Sequence, residues 1–354
     1  MNEPGKEKML IDIDKIGSAT SPLQFGKCVN AAPGNDEPRV GDVVAVRALT
    51  ESTTYGNIEL PTGRLAKINR GDILLGVFGK RRALKGFVGD VPSTVKTGDR
   101  LHLLNMGGVI GECKGHHSSL SDAIEVEVVG IACDELGLPL NISDAALTPA
   151  TELNAGAPIV VVAGSCMNSG KTVAAVEIIR QASNAGLKVA GVKLTGIACL
   201  RDTLNMQDHG AFVTASFLDC GLPSSVDSED LPSVSKTLFN HLNTFVPDLI
   251  VAELGDGIVG GYGVDKILKD VEIRNAISSL VFCASDYVGV IGGAAVLKDI
   301  GIEIDVVAGS VTDSQMGEDF VRSQLGLNAG NARRDGKKLF DLVHVSLRAE
   351  AAVA

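Results

Sequence analysis

The stretch VVVAGSCMNSGKT (160–172) decides how the carboxyl-terminal half of this chain is read. Before it, PIVVVAG (158–164) is a continuous apolar run, the pattern of a strand buried on both faces. After it, KTVAAVEIIRQASNAG (171–186) has helical spacing at Val173, Val176, Ile179 and Ala182, and Gly186 supplies a stop. A loop of small residues joining a strand to a helix is the context that a phosphate-binding loop requires. Its amides can turn inward as an anion nest, and the helix N-terminus adds its positive dipole end. Gly164, Ser165, Asn168, Ser169, Gly170, Lys171, Thr172 and Val173 are therefore the candidate nucleotide-binding residues. Lys171 is expected to neutralise the β- and γ-phosphates, and the Thr172 hydroxyl to join a Mg²⁺ shell. Five residues separate Gly164 from Gly170 where the usual pattern has four, and Ser165 holds the strict first-glycine position.

Further strands are expected at KVAGVKL (188–194), DLIVAEL (248–254), SLVFCAS (279–285) and EIDVVAG (303–309), with helical segments such as VSKTLFNHLNTF (234–245) between them. That rhythm means a mostly parallel α/β sheet with helices on both faces. Upstream the period differs. From about 38 to 130, short β-type runs are punctuated by Gly41-Asp42, Gly71-Asp72 and Gly98-Asp99, and IEVEVVGIA (124–132) closes the series. This predicts a small antiparallel all-β barrel or sandwich. Residues 133–156 read as a linker, so the expected domains are 1–150 (β, with linker) and 151–354 (a P-loop NTPase sheet).

GSCMNSGKTVAA, followed after a helix by AGVKLTG, resembles dethiobiotin synthetase, whose loop has the same long glycine spacing. DLIVAELGDGIVGG (248–261) is similar to the acidic strand end and glycine turn of that family. The likeness covers much of 158–310 and extends to a wider group of P-loop proteins, the SIMIBI class. That group includes cobyrinate amidoligases, an accessory protein of molybdopterin-guanine-dinucleotide synthesis and signal-recognition GTPases. The β domain lies outside the dethiobiotin synthetase pattern, so the chain resembles a relative of that enzyme. The resemblance implies catalytic roles for Lys171, Lys193 and Glu253, and a metal held by Thr172, Glu253 and an acid of RDTLNMQDHGA (201–211). Of Asp202 and Asp208, Asp208 is preferred there on position. It also implies a substrate-side loop at GLPSSVD (221–227) and a base-reading turn near AGSVTDS (308–314). That turn has Gly309-Ser310 where the family has an Asn, which leaves ATP or another NTP open.

Plain structural readings stand beside several of these. Lys193, at the end of four apolar residues, could snorkel to a rim. Asp202 could simply cap a helix. Asp256 is a weaker second metal candidate, and His209 reads as structural or surface. Cys166 reads as a small loop-filling residue, and His116-His117 as an exposed hairpin without a partner at metal spacing.

Composition narrows the function classes. The 354 residues are 45% hydrophobic and 21% charged, as in a packed protein. Formal charge is −11, from 43 acidic and 32 basic residues, which argues against nucleic acid as partner. No apolar run is long enough for a membrane span, and the first twenty residues lack a leader-like stretch. Seven scattered Cys form no CxxC pair, which fits a reducing cytoplasm. The expectation is a cytoplasmic, Mg²⁺- and ATP-dependent enzyme acting on a small, carboxylate-type substrate as ligase or kinase. The alternatives are a nucleotide-hydrolysing switch or accessory factor, and third a polynucleotide kinase. A homodimer is an expectation from the resemblance alone.

Overall fold

A computed structural model describes residues 8–35, 37–52 and 54–351, with side chains described up to residue 344. Of the stretch read for a leader, residues 1–7 lie outside these. Two units are present. The first comprises Met1–Leu147 with Ile197–Arg201 and Phe217–Asp227; the second comprises Thr148–Gly196, Asp202–Ser216 and Ser228–Ala354.

In the first unit, alternation along each strand sends one set of side chains inward. Glu125–Ala132 shows it best, with Val126 and Val128 buried between half-exposed Glu125, Glu127 and Val129. Strands Val43–Ala48, Ile73–Phe78, Val109–His116, Arg100–Asn105 and Glu125–Ala132 pair in that order, and the last returns to the first. The ring is closed, so the unit is a barrel. Its interior is filled by Val44, Val46, Ile58, Leu74, Phe78, Leu103, Ile110 and Val126. One pairing departs from the antiparallel expectation: Val109–His116 runs parallel to Ile73–Phe78. The chain reaches it through Arg100–Asn105, which reverses direction once more than a plain meander would.

Two short segments that the sequence assigned to the α/β half are seated in this unit. The Asn105 side-chain amide donates to the Ala198 carbonyl at 2.7 Å, and the buried Glu59 carboxylate accepts the Leu200 amide at 2.7 Å. Ala198 N–H donates to the Pro223 carbonyl at 2.9 Å, tying the two segments together.

The second unit is a parallel α/β sheet. Its strands are β1 (Ile159–Gly164), β2 (Val189–Thr195), β3 (Ala211–Ser216), β4 (Leu249–Leu254), β5 (Ile277–Cys283), β6 (Val306–Ala308) and β7 (Asn328–Ala329). Their order is β3-β2-β4-β1-β5-β6-β7, with every pairing parallel. The helices are α1 (Lys171–Asn184), α2 (Arg201–Asp208), α3 (Leu231–Asn243), α4 (Val264–Lys269), α5 (Val271–Ala276), α6 (Tyr287–Asp299), α7 (Gln315–Leu325) and α8 (Gly336–Ala351). The α1 face carrying Ala174, Ala175, Ile178, Ile179 and Ala182 packs on Val160, Val162, Val251 and Val281. At its end, Leu187 N–H donates to the Ala182 carbonyl across left-handed Gly186, as a glycine stop requires. Among the described residues, no helix is long and apolar enough to cross a membrane.

A Cβ on Gly107 would lie 2.1 Å from the Ala198 carbonyl oxygen, whereas one on Gly26 would meet nothing within 4 Å. Gly107→Ala is expected to destabilise the protein by about 2 kcal/mol through overpacking. Gly26→Ala should stay within about 0.5 kcal/mol in the same urea titrations. Equal effects would mean that the 197–201 segment is not seated on Gly107.

Candidate phosphate-binding site

The loop leaves β1 at Gly164 and enters α1 at Lys171. It is pinned at its start, where Ser165 N–H donates to the Cys283 carbonyl and the Gly164 carbonyl accepts from Ile258 N–H, both at 2.9 Å. Two residues then take left-handed backbone, Asn168 (φ 63°) and Gly170 (φ 103°). Alternation of this kind turns successive amides to one side, which makes a concave anion nest. Gly170 also needs to lack a side chain, because a Cβ there would sit 2.9 Å from the Cα of Gly309. In turn Ser310 N–H donates to the Ser169 carbonyl at 3.3 Å.

Lys171 is 5% exposed and its Nζ donates back to the Cys166 carbonyl at 2.8 Å. Burial, and after it the charge of Lys193, holds its pKa below the ordinary lysine value; Glu253 opposes this. The ammonium thus arches back over the loop and is held there by a loop carbonyl.

Glu253, 1% exposed at the end of β4, is the hub. Its Oε1 accepts from Thr172 Oγ1 at 2.8 Å and from Lys193 Nζ at 2.7 Å. Lys193 also pairs with Asp202 Oδ2 at 2.8 Å. Burial opposes charge on Lys193, but Asp202 and Glu253 outweigh it and raise the pKa above the ordinary range. The expected triad of Lys171, Lys193 and Glu253 therefore lies at one place with Thr172.

The acid beside this cluster is Asp202, and the preference for Asp208 is corrected. Asp202 opens α2 and Asp208 ends it, exposed to solvent. Six residues of helix carry Asp208 about 9 Å along the axis. Asp256 is left-handed (φ 67°) and half-buried; burial raises its pKa against the pull of Lys171. The Cys283 thiol is pushed up to about 12 by burial, which suits a packing role. Cys166 lies 3.6 Å from Ser285 Oγ. His209 Nδ1 is within 2.8 Å of the Asn205 carbonyl, inside its own helix turn. His116 bonds Asp122 and His117 bonds Ser119; among the described residues no group of three metal-binding side chains occurs. The GLPSSVD loop belongs to the first unit.

The residues fit a divalent metal with its nucleotide. Glu253 Oε2 is buried without a hydrogen-bond partner, as is Ser169 Oγ in the loop. An orphaned carboxylate oxygen beside a threonine hydroxyl is the hard-oxygen chemistry that Mg²⁺ takes.

Beside the loop is a small cleft lined by Asn168, Gly170, Val173, Gly309, Asp313 and Arg333, among others. Asp313 Oδ1 accepts from Asn331 Nδ2 at 2.9 Å. Asn331, 2% exposed, spends its remaining bonds on Thr312 Oγ1 and on the amides of Arg333 and Arg334. Sequence reading missed both residues. Asp313 lies in the quoted AGSVTDS, but Asn331 follows a two-residue strand with no periodic signal.

A parallel sheet with a strand–loop–helix of this geometry, and a buried acid on the neighbouring strand, defines a P-loop NTPase fold. No family model matches the chain, and no curated protein matches it. Among solved structures it is similar to chloroplast FtsY from Physcomitrella patens (14% identity, 57% of this chain and 74% of that one, TM-score 0.38). It is similar also to signal recognition particle 54 kDa protein from Aeropyrum pernix in complex with GDP (14% identity, 57% and 51%, TM-score 0.38). A DUF1611 family protein from Anabaena variabilis is a third (12% identity, 56% and 63%, TM-score 0.42).

Glu253→Ala strands the buried Lys193 with one partner and is expected to destabilise the protein by about 3 kcal/mol in urea unfolding. A change under about 1 kcal/mol would mean that the carboxylate does not hold the cluster.

Proposed function

We propose that this chain is a Mg²⁺- and nucleoside-triphosphate-dependent enzyme that uses the γ-phosphoryl group to activate a small carboxylate-type substrate, as ligase or kinase. The observation that carries the reading is the meeting of Thr172 and Lys193 on one oxygen of buried Glu253, beside the Lys171 loop.

In this reading the loop amides of Ser165–Lys171 bind the polyphosphate, and Lys171 moves from the Cys166 carbonyl to the β- and γ-phosphates. Thr172 and Glu253, with Asp202 close by, would hold the magnesium ion. That ion supplies Lewis-acid charge on phosphoryl oxygens. Lys193 offers a second cation to the charge that develops on the transferring group. Such chemistry needs positioning and cations more than a protein nucleophile. The carboxylate class of the substrate, a homodimer and a cytoplasmic setting belong to the same proposal and come from the sequence and its resemblance.

The cleft at Asp313 is the proposed base seat. Asp313 already accepts from Asn331 through Oδ1 and pairs with Arg333 at 3.6 Å through Oδ2, and the remaining lone pairs of the carboxylate suit the N1–H and N2–H₂ edge of guanine; adenine presents an acceptor at N1. GTP is therefore proposed ahead of the ATP expected from sequence.

A nucleotide-driven switch is the second reading. One observation favours it: directly after the strand bearing Lys193, the chain enters the first unit at Ile197–Arg201. Turnover that responds to a small acid, and not to a protein partner, separates the two.

Two outcomes are expected in calorimetry and turnover assays with Mg²⁺. Lys171→Ala abolishes nucleotide binding while the circular dichroism spectrum is kept; unchanged affinity would overturn the phosphate site. Asp313→Asn weakens GTP binding by about tenfold or more, the loss expected for a hydrogen bond to a charged group, without weakening ATP binding. Equal losses for both bases would exclude Asp313 as the base reader.

A further inference from the structure

At the end of β2 and β4 one ammonium bonds two carboxylates, and the buried Lys171 ammonium also acts on Glu253 and Lys193. Glu253 and Asp202 bring two carboxylates; Lys193 brings one ammonium, bonded at 2.7 Å to the first and 2.8 Å to the second. Lys193 has a side chain only 12% exposed, and Glu253 only 1%. Both donors to Glu253, Thr172 and Lys193, crowd onto Oε1, and Oε2 is left buried without a partner. An ammonium and a divalent cation seek the same oxygens, and in a partly desolvated site they repel each other strongly. The two cannot both be bonded to Glu253 at hydrogen-bond distance without a large electrostatic penalty.

We infer that Lys193 is a tethered placeholder: its ammonium closes the Glu253–Asp202 acid pair to divalent metal until a polyphosphate arrives to take the ammonium. This rests on the phosphate-site reading above and deepens it. Two exchanges occur together. Lys193 leaves Glu253 and Asp202 for an anion, and the freed carboxylate oxygens, with Thr172 Oγ1, become available to the metal. No covalent bond changes, and the charge lost by the acid pair is replaced by charge of the same sign. Metal is thereby admitted with nucleotide and excluded without it.

Mn²⁺ binding followed by electron paramagnetic resonance tests this without any turnover. Wild-type protein alone is expected to bind Mn²⁺ at this site at least about tenfold more weakly than Lys193→Met, whose side chain has similar length and no charge. Glu253→Gln in the Lys193→Met background should remove the gained binding, which places it at this cluster. Lys193→Met removes the one ammonium that bonds both carboxylates, so it should melt lower than wild type and regain stability with Mn²⁺. One arm needs no variant. Wild type should show Mn²⁺ binding at micromolar protein only when a non-hydrolysable GTP or ATP analogue is added. Tight Mn²⁺ binding by nucleotide-free wild type, lost in Glu253→Gln, would overturn the placeholder. So would a Lys193→Met protein that folds and gains no Mn²⁺ affinity. Failure of the analogues to bind at all would overturn the phosphate site, and the comparison of wild type with Lys193→Met would still read the placeholder separately.

Discussion

A carboxylate placed in a sheet interior has to be met by donors, and that requirement at Glu253 organises the second unit. An unmatched buried charge would cost several kcal/mol. Here it is met by a hydroxyl from the first turn of α1 and an ammonium from the end of β2. The bonds link the loop–helix junction to two strands, β2 and β4, that are neighbours in the sheet. They also leave one carboxylate oxygen, Oε2, buried without a hydrogen-bond partner.

Loop shape depends on backbone as much as on charge. Gly170 abuts Gly309 at the end of β6, and a side chain on either would push the two loops apart. The same closeness puts the 164–171 loop and the Asp313 cleft side by side, with Asn168 and Gly170 of the loop lining that cleft. Ligands in open parallel sheets bind at the carboxyl ends of strands, and both lie there.

Much of this was legible in the residues. The change from alternating β runs to continuous apolar runs near Pro158 separated the two architectures, since a strand covered on both faces cannot alternate. VVVAGSCMNSGKT fixed strand, loop and helix, and Lys193 and Glu253 were found because each ends an apolar run. Other features lacked a local signal. Choosing between Asp202 and Asp208 needed the direction in which α2 leaves β2, a tertiary fact. Asn331 and the edge strand at 211–216 sit in short or mixed segments where periodicity is too brief to read. The seating of Ile197–Arg201 and Phe217–Asp227 with the barrel depends on long-range bonds to Glu59, Asn105 and Leu147 that no spacing reveals.

Titrating the pure protein with GTP and ATP in a calorimeter, with Mg²⁺ present throughout, measures the central claim most directly. A saturable one-to-one heat for at least one of them is the result that an amide cradle at 164–172 entails. Absence of heat from both, with the protein folded, would contradict it.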